Sequence, residues 1–239
     1  MRILLTNDDG IQAPGLRVLL DWARTLGEVV VYAPKAEQSG RSHAIEIHKP
    51  FEIKQVSLPY GVTGYSVDST PADCVRYAVL GKKEKVDLVL SGVNRGPNIG
   101  MDIIYSGTVG AVFEAGALGL QGVAISTGFN SFDTAARELD AVWRYFTRRE
   151  LLRRCSLYNV NIPERYTGEI HITRQGGPYY SDEFRHHGGD LYQPTGICVH
   201  RDQGDFTLDT DATLNGHISI TPLTVDRTAR DAYSRLLDA

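Results

Sequence analysis

Two periodicities alternate along the chain. Arg2 to Thr6 is a short apolar run with no helical period, and it ends in Asn7-Asp8-Asp9-Gly10, a cluster of turn formers. That combination predicts a buried strand followed by a loop. Leu16, Leu19, Leu20, Ala23 and Leu26 then recur at three- and four-residue steps with Gly27 behind them, which predicts an amphipathic helix stopped by the glycine. Val29 to Ala33 reads as a second strand, closed by Pro34. Val86 to Ser91 and Val123 to Ser126 read as further strands, and Val109 to Leu118 and Asp133 to about Arg149 as helices. Thr70-Pro71-Ala72-Asp73 predicts a helix start: Thr70 caps, Pro71 fits the first turn, and Asp73 answers the cap's own N–H.

Strands apolar on both faces, alternating with helices, indicate an α/β fold with a mostly parallel sheet covered on both sides. Beyond Ile162-Pro163 the pattern weakens. His171 to Arg174, Ile197 to His200 and Ile218 to Thr221 read as isolated strands between polar stretches, and a last helix is expected near Thr228 to Leu237. The 239 residues are therefore read as a single domain, with a core over 1–165 and a β-rich arm plus C-terminal helix over 166–239.

Composition narrows the function classes. Hydrophobic residues at 42% and charged residues at 23% are ordinary for a soluble globular protein, and no apolar stretch is long enough to span a bilayer. The first strand begins at once, leaving no room for a leader, so no membrane and a cytoplasmic setting are expected. A formal net charge of −4 argues against a nucleic-acid duplex as main partner, although one local site could still attract a small anion. Cys74, Cys155 and Cys198 are widely spaced and offer neither a disulfide framework nor a zinc motif.

Ligands of an open parallel sheet bind outside the carboxyl ends of its strands. Four polar clusters fall at such ends: Asn7 to Gly10, Ser39 to Ser42, Ser91 to Gly100, and Tyr105 to Thr108. Adjacent Asp8 and Asp9 repel one another, and a hard divalent cation would relieve that repulsion through the same oxygens; a solvated turn is the competing reading. Three glycines and two asparagines between Ser91 and Gly100 suit close backbone approach to a ligand, or simply a long turn-rich loop. Ser106-Gly107-Thr108 ahead of a helix suits an anion, or an ordinary N-cap. No Gly-x-Ser-x-Gly elbow and no Gly-x-Gly-x-x-Gly loop is present. His186-His187 reads as a solvated pair.

Taken in order, several blocks resemble the SurE (survival protein E) family of 5′-nucleotidases. They are Ile3 to Ile11, Ala33-Pro34 with Gln38-Ser39-Gly40, Val67 to Val75, Ser91 to Gly100, Tyr105 to Val109, Asn159 to Pro163, and Ser219 to Leu223. The resemblance implies a Rossmann-like three-layer sandwich with a C-terminal arm that takes part in oligomerisation, as homodimer or homotetramer. It implies one divalent cation per subunit, magnesium or manganese, held by Asp8, Asp9, Ser39 and Asn94. The activity it implies is phosphate removal from nucleoside 5′-monophosphates, and sometimes 3′-monophosphates. Departures from the family pattern are Ser69 for a glycine, Ile45-Glu46-Ile47 for a block that more often carries a threonine, the altered helix segment Val112-Phe113-Glu114-Ala115, and Pro178-Tyr179-Tyr180 without a tryptophan. None touches the proposed ligands.

The mechanism expected from this set has a metal-activated water attacking phosphorus. Asp8 and Asp9 are the catalytic pair, with Asp8 orienting or deprotonating the water, and Asn98, Ser106, Gly107 and Thr108 hold the remaining phosphate oxygens. The alternatives are a non-catalytic nucleotide- or metal-binding module and a phosphatase for another substrate such as short polyphosphate.

Overall fold

The structure, a computed structural model, describes residues 1–237. The last two positions of the expected arm lie outside them. Strand β1 (Arg2–Thr6) is apolar on both sides: Ile3 and Leu5 face one core and Leu4 the other. Its parallel neighbours are β2 (Glu28–Pro34) and β5 (Leu88–Asn94). Beyond β2 come β4 (Thr63–Val67), parallel to it, and β3 (Ile53–Ser57), antiparallel at the edge. Beyond β5 come β6 (Gln121–Ser126) and β7 (Leu157–Asn161), both parallel; β11 (Ile218–Leu223) then runs antiparallel to β7, with β8 (Ile170–Ile172) parallel to it. These nine strands thus form one sheet in the order β3-β4-β2-β1-β5-β6-β7-β11-β8.

Helices cover both faces. α1 (Pro14–Ala23) and α4 (Asp133–Arg148) bury Leu16, Leu19, Leu20, Leu139, Val142 and Phe146 against one face. On the other, α2 (Pro71–Arg76) and α3 (Gly107–Ala117) contribute Cys74, Val75, Ala111 and Ala115. Strand order reverses between β1 and β5, so the loops after these two strands diverge and leave a crevice at their carboxyl ends.

Several boundaries differ from the expectation. α1 ends at Ala23 with Arg24 as its cap in right-handed geometry, so Gly27 does not stop it. Glycine is needed at 27 because a Cβ there would lie 2.2 Å from the Met1 carbonyl oxygen. Thr70 does cap α2 by accepting from the Asp73 N–H, but Asp73 does not reciprocate. Its Oδ2 accepts instead from the Glu46 N–H and the Ser69 hydroxyl, so the serine that replaces glycine helps pin the 44–46 segment.

β3, β4 and β7 were not expected. β3 and β4 mix polar residues and glycine near an edge, and β7 buries two asparagines. The late strands are not isolated. β8 and β11 belong to the main sheet, while Ile197 lies within β10 (Tyr192–Cys198), which pairs with β9 (Tyr180–His186) as an exposed hairpin. Short α5 (Leu151–Arg154) follows α4, and α6 (Asp209–Leu214) is a largely buried helix whose aspartates and threonines disguise it as a turn. α7 (Arg230–Leu237) lies where a last helix was expected.

α1 packs on β5 so closely that a Cβ on Gly15 would come 1.9 Å from the Val93 carbonyl oxygen. Helix propensity alone would favour Gly15→Ala by about 1 kcal/mol. Backbone cannot yield as a side chain would, so the substitution is expected to destabilise the protein by about 2–3 kcal/mol in urea unfolding.

Candidate active site and metal centre

The loop after β1 is shaped by Asn7, which is fully buried and grips Gly10 twice: its Nδ2 donates to the Gly10 carbonyl at 2.9 Å and its Oδ1 accepts from the Gly10 N–H at 3.2 Å. Between these two residues the Asp8 side chain turns inward, 5% exposed, and Asp9 lies half-buried beside it. The N-terminus of α3 meets Asp8. The Thr108 hydroxyl donates to Asp8 Oδ1, and the Thr108 N–H also favours the ionised form of that carboxyl. Gly107 must lack a side chain, because a Cβ there would be 2.9 Å from Asp8 Cβ and 3.1 Å from Asp8 Oδ2.

Gln38 donates its backbone N–H to the Asp8 carbonyl at 2.7 Å, which brings the Glu37–Ser39 turn alongside. That turn is fastened from behind. Ser42 bonds the Ile104 and Tyr105 carbonyls, and His43 Nε2 meets Glu114 at 2.7 Å, with Arg76 on the other carboxylate oxygen at 3.0 Å. Burial pushes the Glu114 carboxyl up, but His43 and Arg76 outweigh it and hold it below the usual range. Glu114, on the altered helix segment, is therefore the anchor of the Ser39 loop.

Asn94 arrives through a bulge. Register with β6 skips one residue between Gly92 and Asn94, and Gly92 has φ 138 with the Ile125 carbonyl 2.2 Å from where a Cβ would stand. Such a bulge re-aims the following side chain. Asn94 Nδ2 donates to the Gly96 carbonyl at 2.7 Å, leaving its Oδ1 free. Ser39 donates its hydroxyl proton to Glu37 at 2.8 Å, leaving its oxygen lone pairs free.

The remaining expected residues are placed less simply. Ser106 is buried and its hydroxyl accepts from the Val109 N–H, so it serves as the N-cap of α3. The Thr108 side chain is committed to Asp8 and is not free for a ligand, because it is fully buried against that carboxylate. Asn98 is held by its neighbours: its N–H donates to Asn161, its carbonyl accepts from Asn159 and Asn161, and its Nδ2 donates to Ser126 at 2.9 Å. Glu37 and Arg95 were missed. Glu37 adds a third negative charge near the pair, and Arg95 contributes a backbone N–H and a positive charge to Asp9. Their positions, just before Gln38-Ser39 and just after Asn94, were the available signal.

Electrostatics explain what such an arrangement wants. Burial raises the Asp8 carboxyl above its ordinary range despite the Thr108 bonds. Burial and then the Asp8 charge push Asp9 up to about 6. The donor set around this strain is all oxygen, with free lone pairs on Asn94 and Ser39, which fits a hard divalent cation. Two clefts are lined by adjoining loops. One of about 600 Å³ includes Gln38, Arg41, Glu46 and Thr70; another of about 630 Å³ includes Met101, Ile104, Tyr105 and Tyr180.

The chain was compared with known proteins. Residues 3–182 match the family model described as "Survival protein SurE". Among curated relatives, "5'-nucleotidase SurE" of Paramagnetospirillum magneticum is 41% identical over 250 residues, covering 99% of this chain and 94% of that protein. The protein of that name from Legionella pneumophila is 37% identical, covering 99% and 96%. A solved SurE protein from Aquifex aeolicus superposes with a TM-score of 0.78 at 32% identity, covering 100% of both chains.

The pH behaviour of the acidic pair is testable without a substrate. An unfolded aspartate titrates near 3.8 and Asp9 in the fold at about 6, so between these values the folded state holds a proton that the unfolded state has released. Stability of metal-free protein should therefore fall as pH rises through that window. Urea midpoints of chelated protein should be lower at pH 7 than at pH 5. Asp9→Asn, or added magnesium, should flatten the difference; an equal slope in Asp9→Asn would contradict the assignment.

Proposed function

The chain belongs to the survival protein SurE family, and from that premise we infer a phosphohydrolase that releases phosphate from nucleoside 5′-monophosphates. The observation that carries the reading is the acidic pair at the end of β1, set against the N-terminus of α3 at the crevice where strand order reverses. Asp8, Asp9, Ser39 and Asn94 would hold one divalent cation per subunit, magnesium or manganese, since every donor is an oxygen. Bound there, it would supply charge neutralisation and a more acidic water.

The chain's own residues do the rest. Asp8 takes or directs the proton of the attacking water, while Thr108 fixes the carboxylate's orientation from behind. Gly107 leaves the backbone at the α3 N-terminus open to phosphate oxygens, and Ser106 holds that helix start in shape. Asn98 retains one side-chain N–H beyond its bond to Ser126, enough for a further phosphate contact. Exposed Met101, Ile104 and Tyr105, between Asn98 and Ser106, offer an apolar surface to the nucleoside. Nucleoside 3′-monophosphates and short polyphosphate present the same terminal phosphate, so the site is open to them.

Residues 1–239 are best treated as one domain. Its exposed β9–β10 hairpin, carrying Phe184, Tyr192 and Ile197, favours a homodimer or homotetramer. The free thiols of Cys74, Cys155 and Cys198 suit the reducing cytoplasm.

Chelated protein is expected to release phosphate from a nucleoside 5′-monophosphate panel only when magnesium or manganese is restored. Asp8→Asn should lower turnover at least about a hundredfold and still fold, because asparagine can accept the Thr108 bond without a buried charge. Near-normal turnover in that variant would sink the role given to Asp8. No release with any metal would leave a binding module.

A further inference from the structure

A second cluster lies away from the acidic pair, where the chain leaves β10 and wraps α6. Asp211 on α6 is fully buried. Its Oδ2 accepts the backbone N–H groups of Gln203 and Asp205, at 2.9 and 3.0 Å. Among the described residues its Oδ1 is buried with no hydrogen-bond partner, and so is His200 Nε2, although the two atoms are only 3.1 Å apart. Asp202 completes the group. One of its oxygens accepts from the Gly204 N–H and the other from Asn215 Nδ2, and ligand atoms of all three residues lie within 4.8 Å of one another.

A close nitrogen–oxygen pair that fails as a hydrogen bond is informative. In a hydrogen bond the two groups point at each other. Around a metal ion both point at a third position, and the contact between them is the edge of a coordination polyhedron. With metal–ligand arms of about 2.0–2.1 Å that edge is about 2.9–3.4 Å, for octahedral through tetrahedral geometry. The observed 3.1 Å falls inside it. A bridging water fits worse, because arms of about 2.8 Å near the tetrahedral angle hold their partners about 4.5 Å apart. A satisfied neighbour offers a contrast. Glu169, His171 and His217 also cluster, but there His171 Nε2 bonds Glu169 at 3.1 Å and His217 Nδ1 bonds Thr167 at 2.9 Å, so each of these two nitrogens has a hydrogen-bond partner.

We propose that His200, Asp202 and Asp211 form a second metal site, for a borderline divalent ion of the zinc class, distinct from the all-oxygen site at Asp8. One imidazole and two carboxylates suit such an ion, and its charge balances two carboxylates, one of them wholly buried. Exposed Asp202 leaves the outer side open for water ligands. The role is structural. The ion ties the base of the β9–β10 hairpin to α6, and α6 in turn holds the site loop, since Asp209 accepts the N–H groups of both Gly100 and Gly176.

The test uses the full chain carrying Asp8→Asn, which silences the first site, stripped with chelator and titrated with Zn²⁺ by calorimetry and thermal unfolding. One equivalent should bind and raise Tm. Adding His200→Ala, at a side chain with no hydrogen bond to lose, should abolish the Tm rise and weaken binding at least about tenfold, whereas adding His171→Ala should leave both intact. Asp202→Asn should weaken binding similarly and stands in if His200→Ala fails to fold. Absence of a Zn²⁺ equivalent in the Asp8→Asn protein, unchanged binding after His200→Ala, or loss after His171→Ala would each overturn the proposal.

Discussion

A pair of adjacent carboxylates at the end of a central buried strand is costly, and the architecture around β1 is organised by that cost. Water reaches Asp8 poorly, and the Asp8 charge raises the proton affinity of Asp9. The fold offers partial compensation: the positive end of α3, the Thr108 hydroxyl, and the N–H and charge of Arg95. These do not restore ordinary acidity, and Glu37 adds more negative charge. The proposed cation, coordinated by the same oxygens, would complete the balance and would at the same time supply the chemistry a phosphate ester needs. Under the proposed assignment, stability given up at the site would be recovered on metal binding, which would link folding to function.

Supporting contacts make sense in that light. Thr108 and Gly107 belong to a helix that must come within van der Waals distance of Asp8, so one has no side chain and the other spends its hydroxyl on the carboxylate. The Ser39 loop would be free to drift but for Ser42 and the His43–Glu114–Arg76 group behind it. Asn98 is immobilised by asparagines of β7 and by Ser126 of β6. In each case a ligand candidate sits on a loop, and a buried polar group on a regular element holds that loop.

Legibility in the sequence followed the strength of local physics. β1, β2, β5 and β6 are plain because burial on both faces demands unbroken apolar runs, and α4 because one stripe of it must be apolar. The acidic pair could be read because two charges next to a buried strand need a reason. β7 was missed because its Asn159 and Asn161 serve Asn98, 61 and 63 residues away, and α6 because Asp209 satisfies the backbone N–H groups of Gly100 and Gly176, 109 and 33 residues away. Such residues obey tertiary demands that no local window contains. The same reason hid the commitment of Thr108: a threonine at a helix start reads as a cap or anion ligand until Asp8 is seen against it.

Anomalous scattering from crystals soaked in Mn²⁺ would test the central constraint most directly. The account predicts a manganese peak bounded by the side-chain oxygens of Asp8, Asp9, Ser39 and Asn94, and its disappearance in Asp8→Asn crystals. A soaked crystal whose acidic pair stays free of manganese, or a peak there that survives the loss of the Asp8 carboxylate, would contradict it.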